Sequence, residues 1–325
     1  MALDFNTEPF FDDYSEDKEF HRILFRPGYA VQARELTQLQ TILQEQVRRH
    51  GDHMFKEGSM IIPGQISYDL NLSYVQLVTD INVNMETVLS TLVGMEIKNS
   101  SGLIGKVIAF TLAETVSGVL QPNTIFVKYQ NSTQDIAGNN VSSFNVGDTL
   151  TPVDGTSGLD VVVSEPFSIT IPPVGLGCSA TIQRGIYYIK KNFVLVQDQV
   201  IVLDKYSNSP SYRVGLKLTE SIIYPEDDES LLDNALGSPN YAAPGAARYK
   251  MNLALTKIPV DLDTVTVANE TDFIDLLRLE SGNVIFKIDR TSYAEIEKTL
   301  ARRTYDESGD YALNPFGIHP KDYRN

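Results

Sequence analysis

Gly185-Ile186-Tyr187-Tyr188-Ile189, Phe193-Val194-Leu195-Val196 and Val200-Ile201-Val202-Leu203 follow one another with short polar breaks between them. Each run is dense in β-branched and aromatic side chains and too short for a stable helix, so the stretch reads as three consecutive strands. Outward from it, the β-rich character extends from Ile169 to about Ile223 and resumes at Met251 to Leu255, after the turn Pro244-Gly245. Upstream, Met60-Ile61-Ile62 and Tyr74-Val75-Gln76-Leu77-Val78 are bounded by Gly, Pro, Asn and Asp and read the same way. Residues from about 94 to 165 add Met95-Glu96-Ile97 and the runs 105–110 and 124–129, joined by pieces such as Ala137-Gly138-Asn139-Asn140. That spacing predicts a small all-β barrel or sandwich, with Asp154-Gly155-Thr156-Ser157-Gly158 as its exit linker.

The helical signals lie at the two ends. A short helix is expected from Ser15 to Leu24, broken by the turn Arg26-Pro27-Gly28. A stronger one is expected from Ala30 to His50, because Leu36, Leu39, Leu43 and Val47 recur at spacings of three and four and so share a face. Arg48, Arg49 and His50 suit a last turn, and Gly51 suits a C-terminal cap. About 20 residues at ~1.5 Å each make a rod of roughly 30 Å. Gln32, Gln38, Gln40, Gln44 and Gln46 occupy much of its remaining surface, neutral side chains that suit packing against another helix or chain. An ordinary surface helix with a polar face accounts for the same pattern. The N-terminal residues Phe5, Phe10, Phe11 and Tyr14 suggest an arm that folds onto a neighbour. Further on, Ser230 caps a helix start after the acidic run 226–229, a short helix is expected near Thr271–Leu279, a strand at Val284–Ile288, and a helix from Ser292, where Ser292 and Glu295 form a capping box.

The fold class expected is α+β, mostly β. It has N-terminal helices at about 15–50, then β-rich domains with a small barrel or sandwich insertion, and a mixed α/β C-terminal part. The divisions are 1–58 as arm and helical anchor, 59–93 with 166–260 as the main β-rich domain, 94–165 as the insertion, and 261–325 as the C-terminal part. The last residues carry no packing period, so the polypeptide is expected to continue beyond Asn325.

Bulk composition narrows the function. With 27 Lys and Arg against 42 Asp and Glu, the formal net charge is −15, a field that repels phosphate backbones and anionic membrane surfaces. Partners are therefore expected to be proteins. The N-terminus lacks the basic and apolar regions of a signal peptide, so assembly in a cytoplasm is expected. One cysteine, Cys178, excludes an internal disulfide, and no basic or histidine neighbour in sequence activates it.

Motif chemistry is thin. His50-Gly51-Asp52-His53 is the one local cluster with metal ligands, but a helix ending at Gly51 would separate the two histidines. Gly175-Leu176-Gly177-Cys178-Ser179-Ala180 resembles a dinucleotide fingerprint, yet Pro172-Pro173 precede it and β-favouring residues follow, so it reads as a glycine-rich turn between strands. The 226–229 carboxylates lack the spacing of a calcium loop. A pair of glycosidase carboxylates could meet only in space, and the chain has no Trp on which a sugar would stack. Neither a cofactor nor a metal is expected, and no catalytic residue is assigned. The candidate contact residues for an oligomer or partner are Phe10, Phe11, Leu36, Leu39, Gln40, Leu43, Gln44 and Val47.

Four blocks carry a resemblance. They are the run from Phe20-His21-Arg22 through Gln40 and on through Gly51-Asp52-His53 to Ser59; Asp204-Lys205-Tyr206 with Pro210-Ser211-Tyr212-Arg213-Val214-Gly215-Leu216; Ser230-Leu231-Leu232-Asp233-Asn234-Ala235 with Asn240 to Ala246; and Thr304-Tyr305-Asp306-Glu307-Ser308-Gly309-Asp310-Tyr311 with Asn314-Pro315-Phe316. In these the chain resembles a family of virion structural proteins of contractile-tailed bacteriophages that carries a conserved domain of unknown function. Residues from about 94 to 165 resemble it less and suit a variable insertion. The resemblance implies a tail-fibre or baseplate component located in the virion, no enzyme, with itself (as a homotrimer) and other tail or baseplate proteins as partners. A tail-borne polysaccharide- or wall-cleaving enzyme and an assembly factor absent from the mature particle are the alternatives.

Overall fold

The computed structural model describes residues 5–78, 84–116, 118–134, 140–166, 171–237, 239–260, 272–288 and 294–309. The chain is α+β and mostly β: nineteen strands and three α-helices, among the described residues, with two single turns of 3₁₀ helix. It divides into two compact units. The first comprises residues 1–61, 187–193 and 291–325, and the second 62–186 and 194–290.

The second unit is built on an eight-stranded sheet in the order β11-β10-β3-β4-β7-β2-β12-β15. Its strands are β2 (Ile66–Gln76), β3 (Glu96–Lys98), β4 (Ile104–Thr111), β7 (Thr124–Tyr129), β10 (Thr149–Pro152), β11 (Val161–Val162), β12 (Val174–Ile182) and β15 (Gln199–Asp204). β-bulges at Val107/Ala109 in β4 and Gly177/Ser179 in β12 add local twist, and the sheet curls. One face buries Val75, Leu77, Ile97, Val107, Ile125, Val127 and Leu150 under the short helix α2 (Met85–Leu92), which contributes Val88, Leu89 and Leu92. On the other face Leu72, Tyr74 and Phe126 form a smaller core, packed by Ile108 of β4 and Val202 of the edge strand β15. Strands from the 94–165 stretch thus share one sheet with β2 and β12.

Glycines in β12 mark close approach. A Cβ on Gly175 would stand 2.7 Å from the Tyr74 hydroxyl, and one on Gly177 would stand 2.6 Å from Lys205 O. The expected glycine-rich turn is therefore a strand interior. Its glycines clear space for a tyrosine and a neighbouring backbone, and the next element is another strand, β13 (Gly185–Ile189). The expected exit linker at 154–158 is instead the connection of the antiparallel pair β10–β11.

A four-stranded sheet completes this unit in the order β17-β16-β18-β19: β16 (Tyr212–Ile223), β17 (Arg248–Pro259), β18 (Phe273–Glu280) and β19 (Asn283–Lys287). The helix expected near 271–279 is strand β18. It pairs with β16 across Tyr212–Lys217, and Arg213 clasps Asp275 through Nε–Oδ1 at 2.9 Å and a second contact at 2.5 Å, a forked ion pair. The helix expected from Ser230 is one 3₁₀ turn, Glu229–Leu231, capped by Asp228, whose carboxylate accepts from Ser230 N at 2.9 Å. The strand expected at 284–288 is β19. Ser292 of the expected capping box lies outside the described residues, and helix α3 runs Ala294–Ser308.

The two sheets meet along their edges, β15 against β17, through side chains. The Gln199 amide donates to Leu253 O and accepts from Leu255 N, both at 2.7 Å, the pattern of a backbone neighbour. The Lys257 ammonium donates to Val202 O at 3.0 Å and to Leu203 O, and sits 5.0 Å from the centre of the Tyr212 ring. Burial lowers the Lys257 pKa, with Asp204 opposing. Replacing Gln199 by Ala strips partners from Leu253 O and Leu255 N together. We expect a loss of about 1–2 kcal/mol in urea unfolding. Gln199→Glu should lose as much, since a carboxylate sets its oxygen against Leu253 O. An unchanged unfolding midpoint in both variants would show that the edges do not depend on this amide.

Candidate functional site

In the first unit, α1 (Ala33–Met54) is the principal element. It begins with a reciprocal cap in which the Gln32 side chain accepts from the backbone of Glu35 and the Glu35 carboxylate accepts from Gln32 N at 2.9 Å. The predicted end at Gly51 is a correction. Gly51 lies inside the helix and is buried, because the ring of Tyr188 rests on it; a Cβ there would stand 2.7 Å from Tyr188 Cε2. The helix runs on to Met54, with Phe55 N bonded to Gly51 O at 2.8 Å. Arg48 and Arg49 are accordingly mid-helix, and His50 and His53 lie on one continuous helix, both exposed. No cluster of three or more metal-ligating His, Cys, Asp or Glu side chains occurs among the described residues.

The helix presents its polar side to its own chain. Tyr188 donates its hydroxyl to Asp52 Oδ1 at 2.8 Å, with Arg48 O a second acceptor at 3.1 Å, and burial with the nearby carboxylate raises its pKa. Phe55 and Phe193 close around the same ring, with centroids 6.1 and 5.1 Å away. Along the rest of this side lies the N-terminal arm. Thr41 Oγ1 donates to Asp12 Oδ2 at 2.5 Å, Gln38 donates to Asp13, Arg34 stands 3.6 Å from Asp13, and Arg49 pairs with Glu16. Lys18 bonds Asp13 at 3.3 Å and holds its carboxyl below the usual range. The helix expected at 15–24 is a single 3₁₀ turn, Glu16–Lys18, ended by Glu19 at φ 55°. Here short acids satisfy α1 side chains, and no apolar period holds the segment helical. Ile42 is the one buried apolar side chain of α1.

The opposite side is bare. Leu36, Leu39, Leu43 and Val47 expose 52%, 39%, 57% and 53% of their surface, and Gln40 and Gln44 beside them are exposed as well. The four apolar residues share the face that their spacing predicts. Of the two arm residues expected to make contacts, Phe11 is exposed at φ 46° and Phe10 is half-buried. A shallow groove of about 170 Å³ adjoins the stripe, lined by Leu43, Gln44, Val47, Lys191, Asn192 and Phe193. Sequence reasoning found the stripe but missed Phe193, Lys191 and the arm acids Asp12 and Asp13, for which only the polar run Gln38, Thr41, Glu45 on the reverse face was a signal. A second cleft, of about 200 Å³, is lined by arm and α1 residues, and its Asp13 is already in contact with Lys18 and Arg34. Cys178 is buried, and burial pushes its thiol up to about 11.

Gly51→Ala tests the seat of Tyr188. On an open helix this change gains about 1 kcal/mol. Against a buried ring it should instead cost about 1–3 kcal/mol through overpacking. A lower thermal midpoint followed by far-UV circular dichroism is the expected outcome; a higher one would mean that the ring does not occupy this position.

The family described as a domain of unknown function, DUF4815, matches residues 8–82 and 174–323. No curated protein and no solved structure matches the chain at a significant level. The interval between the two matched segments, 83–173, falls between β2 and the first residue of β12, two strands that are paired neighbours, with Val174 opposite Val75. All four resemblance blocks fall within the matched residues. The match spans well over half of the chain, which belongs to the DUF4815 family.

Proposed function

We propose that this protein is a structural component of a bacteriophage tail. It anchors a tail fibre to the baseplate, or forms part of the baseplate, and works through protein–protein contacts rather than catalysis. The observation that carries this reading is the face of α1: Leu36, Leu39, Leu43 and Val47 stand exposed on a helix whose reverse side is already bonded to its own chain. A contiguous apolar row of this kind suits another protein surface, which would bury it. The net charge of −15 directs the partners away from nucleic acid and anionic lipid. The sequence resemblance to virion proteins supplies the setting.

Gold-labelled antibody raised against residues 1–325 tests this on purified virions of the phage that encodes the chain. Label at the distal end of the tail is expected. Particles that lack the protein altogether would defeat the proposal and favour an assembly factor. Label confined to the capsid or neck would defeat the baseplate assignment.

A further inference from the structure

We infer that the occupant of the bare α1 face is the same face of a second copy of this chain. The inference deepens the proposed structural role and commits it to self-association. Three observations converge. First, the row keeps its register to the end of the helix: Leu36, Leu39, Leu43 and Val47 are followed at spacings of three and four by the imidazole of His50 and then by Met54. Steps of three, four and four repeat every eleven residues, close to the natural winding of an α-helix, so the row runs nearly parallel to the axis of α1. A straight row serves helix-to-helix packing over its whole length.

Second, beyond the first turn, where Glu35 caps the helix, the borders of the row are neutral. Gln40 and Gln44 flank it on one side and Gln46 on the other, all exposed. A border of one charge repels its own copy, and a border of charges selects a partner of the opposite sign. A glutamine amide both donates and accepts, so a glutamine border is complementary to itself. In a chain of net charge −15, the one carboxylate on this border is Glu35 in the first turn, already bonded to Gln32 N, so two copies can approach along the rest of the stripe without facing charge of like sign.

Third, among the described residues the face remains open, although the C-terminal helix α3 also touches α1. The arm and Tyr188 occupy the reverse side, and the four apolar residues remain exposed with α3 present in the same unit. The groove beside Leu43 and Val47, floored by Phe193, is open to a side chain from a facing helix.

The test uses the full 325-residue chain in size-exclusion chromatography with light scattering across a concentration series, with two variants. The wild type should run at an integer multiple of the monomer mass. Leu39→Asp/Leu43→Asp should run at the monomer mass with its β-sheet circular dichroism unchanged. In Leu43→Cys, mild oxidation should join chains covalently, since the native thiol Cys178 is buried and does not compete. That cross-link decides the question should the double variant fail to fold. A monomeric wild type throughout the series would overturn the inference. So would an assembly that persists in the Asp variant and does not cross-link at position 43. Neither result bears on the virion labelling: a monomeric chain on the tail would leave the structural role standing, and a self-associating chain absent from the particle would leave only the seam.

Discussion

A tyrosine ring resting on a glycine sets the orientation of α1. Tyr188 is buried on Gly51, bonded through its hydroxyl to Asp52, and anchored by its own backbone, with Gly58 N bonded to Tyr188 O at 2.8 Å and Tyr188 N to Ser59 O at 2.9 Å. The return of the chain after α1 is thereby tied to the same residue that holds the helix. With this contact fixed, the side of α1 bearing Gln38, Thr41, Glu45 and Arg48 faces the chain. The side bearing Leu36, Leu39, Leu43 and Val47 has nowhere to turn but outward. The usual arrangement, apolar side in and polar side out, is reversed because the inward contacts are hydrogen bonds to short acids.

The second unit rests on a different constraint, the long antiparallel ladder between β2 and β12, which runs from Val174 opposite Val75 to Ile182 opposite Ile66. Because these strands are adjacent, the residues between them can be elaborated without breaking their pairing. The family match skips residues 83–173. They supply α2, most of the larger core and five further strands of the curled sheet, while the family match resumes on the far side of the ladder. Loop-closure entropy grows only slowly with length, so an insertion of this size between neighbouring strands is thermodynamically tolerable.

Legibility in the sequence followed local chemistry. The runs around 185–203 declare themselves as strands because each is short, apolar and bounded by polar residues, and the apolar stripe of α1 is readable from its spacing. What failed was decided by partners distant in sequence. Residues 271–279 have the look of a short helix, but β16 and the Arg213–Asp275 fork hold this stretch as a strand. Gly51 imitates a helix cap because a glycine under a ring and a glycine at a helix end are the same letter. Gly175 and Gly177 imitate a turn for the same reason. Phe193 could not be placed beside the helix, being some 150 residues away in the chain, roughly a domain's length.

The reversed helix has an energetic consequence. Burying one Leu or Val side chain fully is worth about 1.5–3 kcal/mol, and the four bare residues of α1 forgo much of that in the single chain. Native domains are stable by only about 5–15 kcal/mol. The hydrogen bonds that hold α1 in place each contribute about 0.5–1.5 kcal/mol net. The helix is therefore held in its reversed pose by modest terms and would gain a comparable amount when the face is covered. A protein whose stability was optimised for life as a monomer would have exchanged these leucines for charged residues at no cost to the fold. On the proposal that a second copy covers this face, the firmness of the first unit would be coupled to assembly.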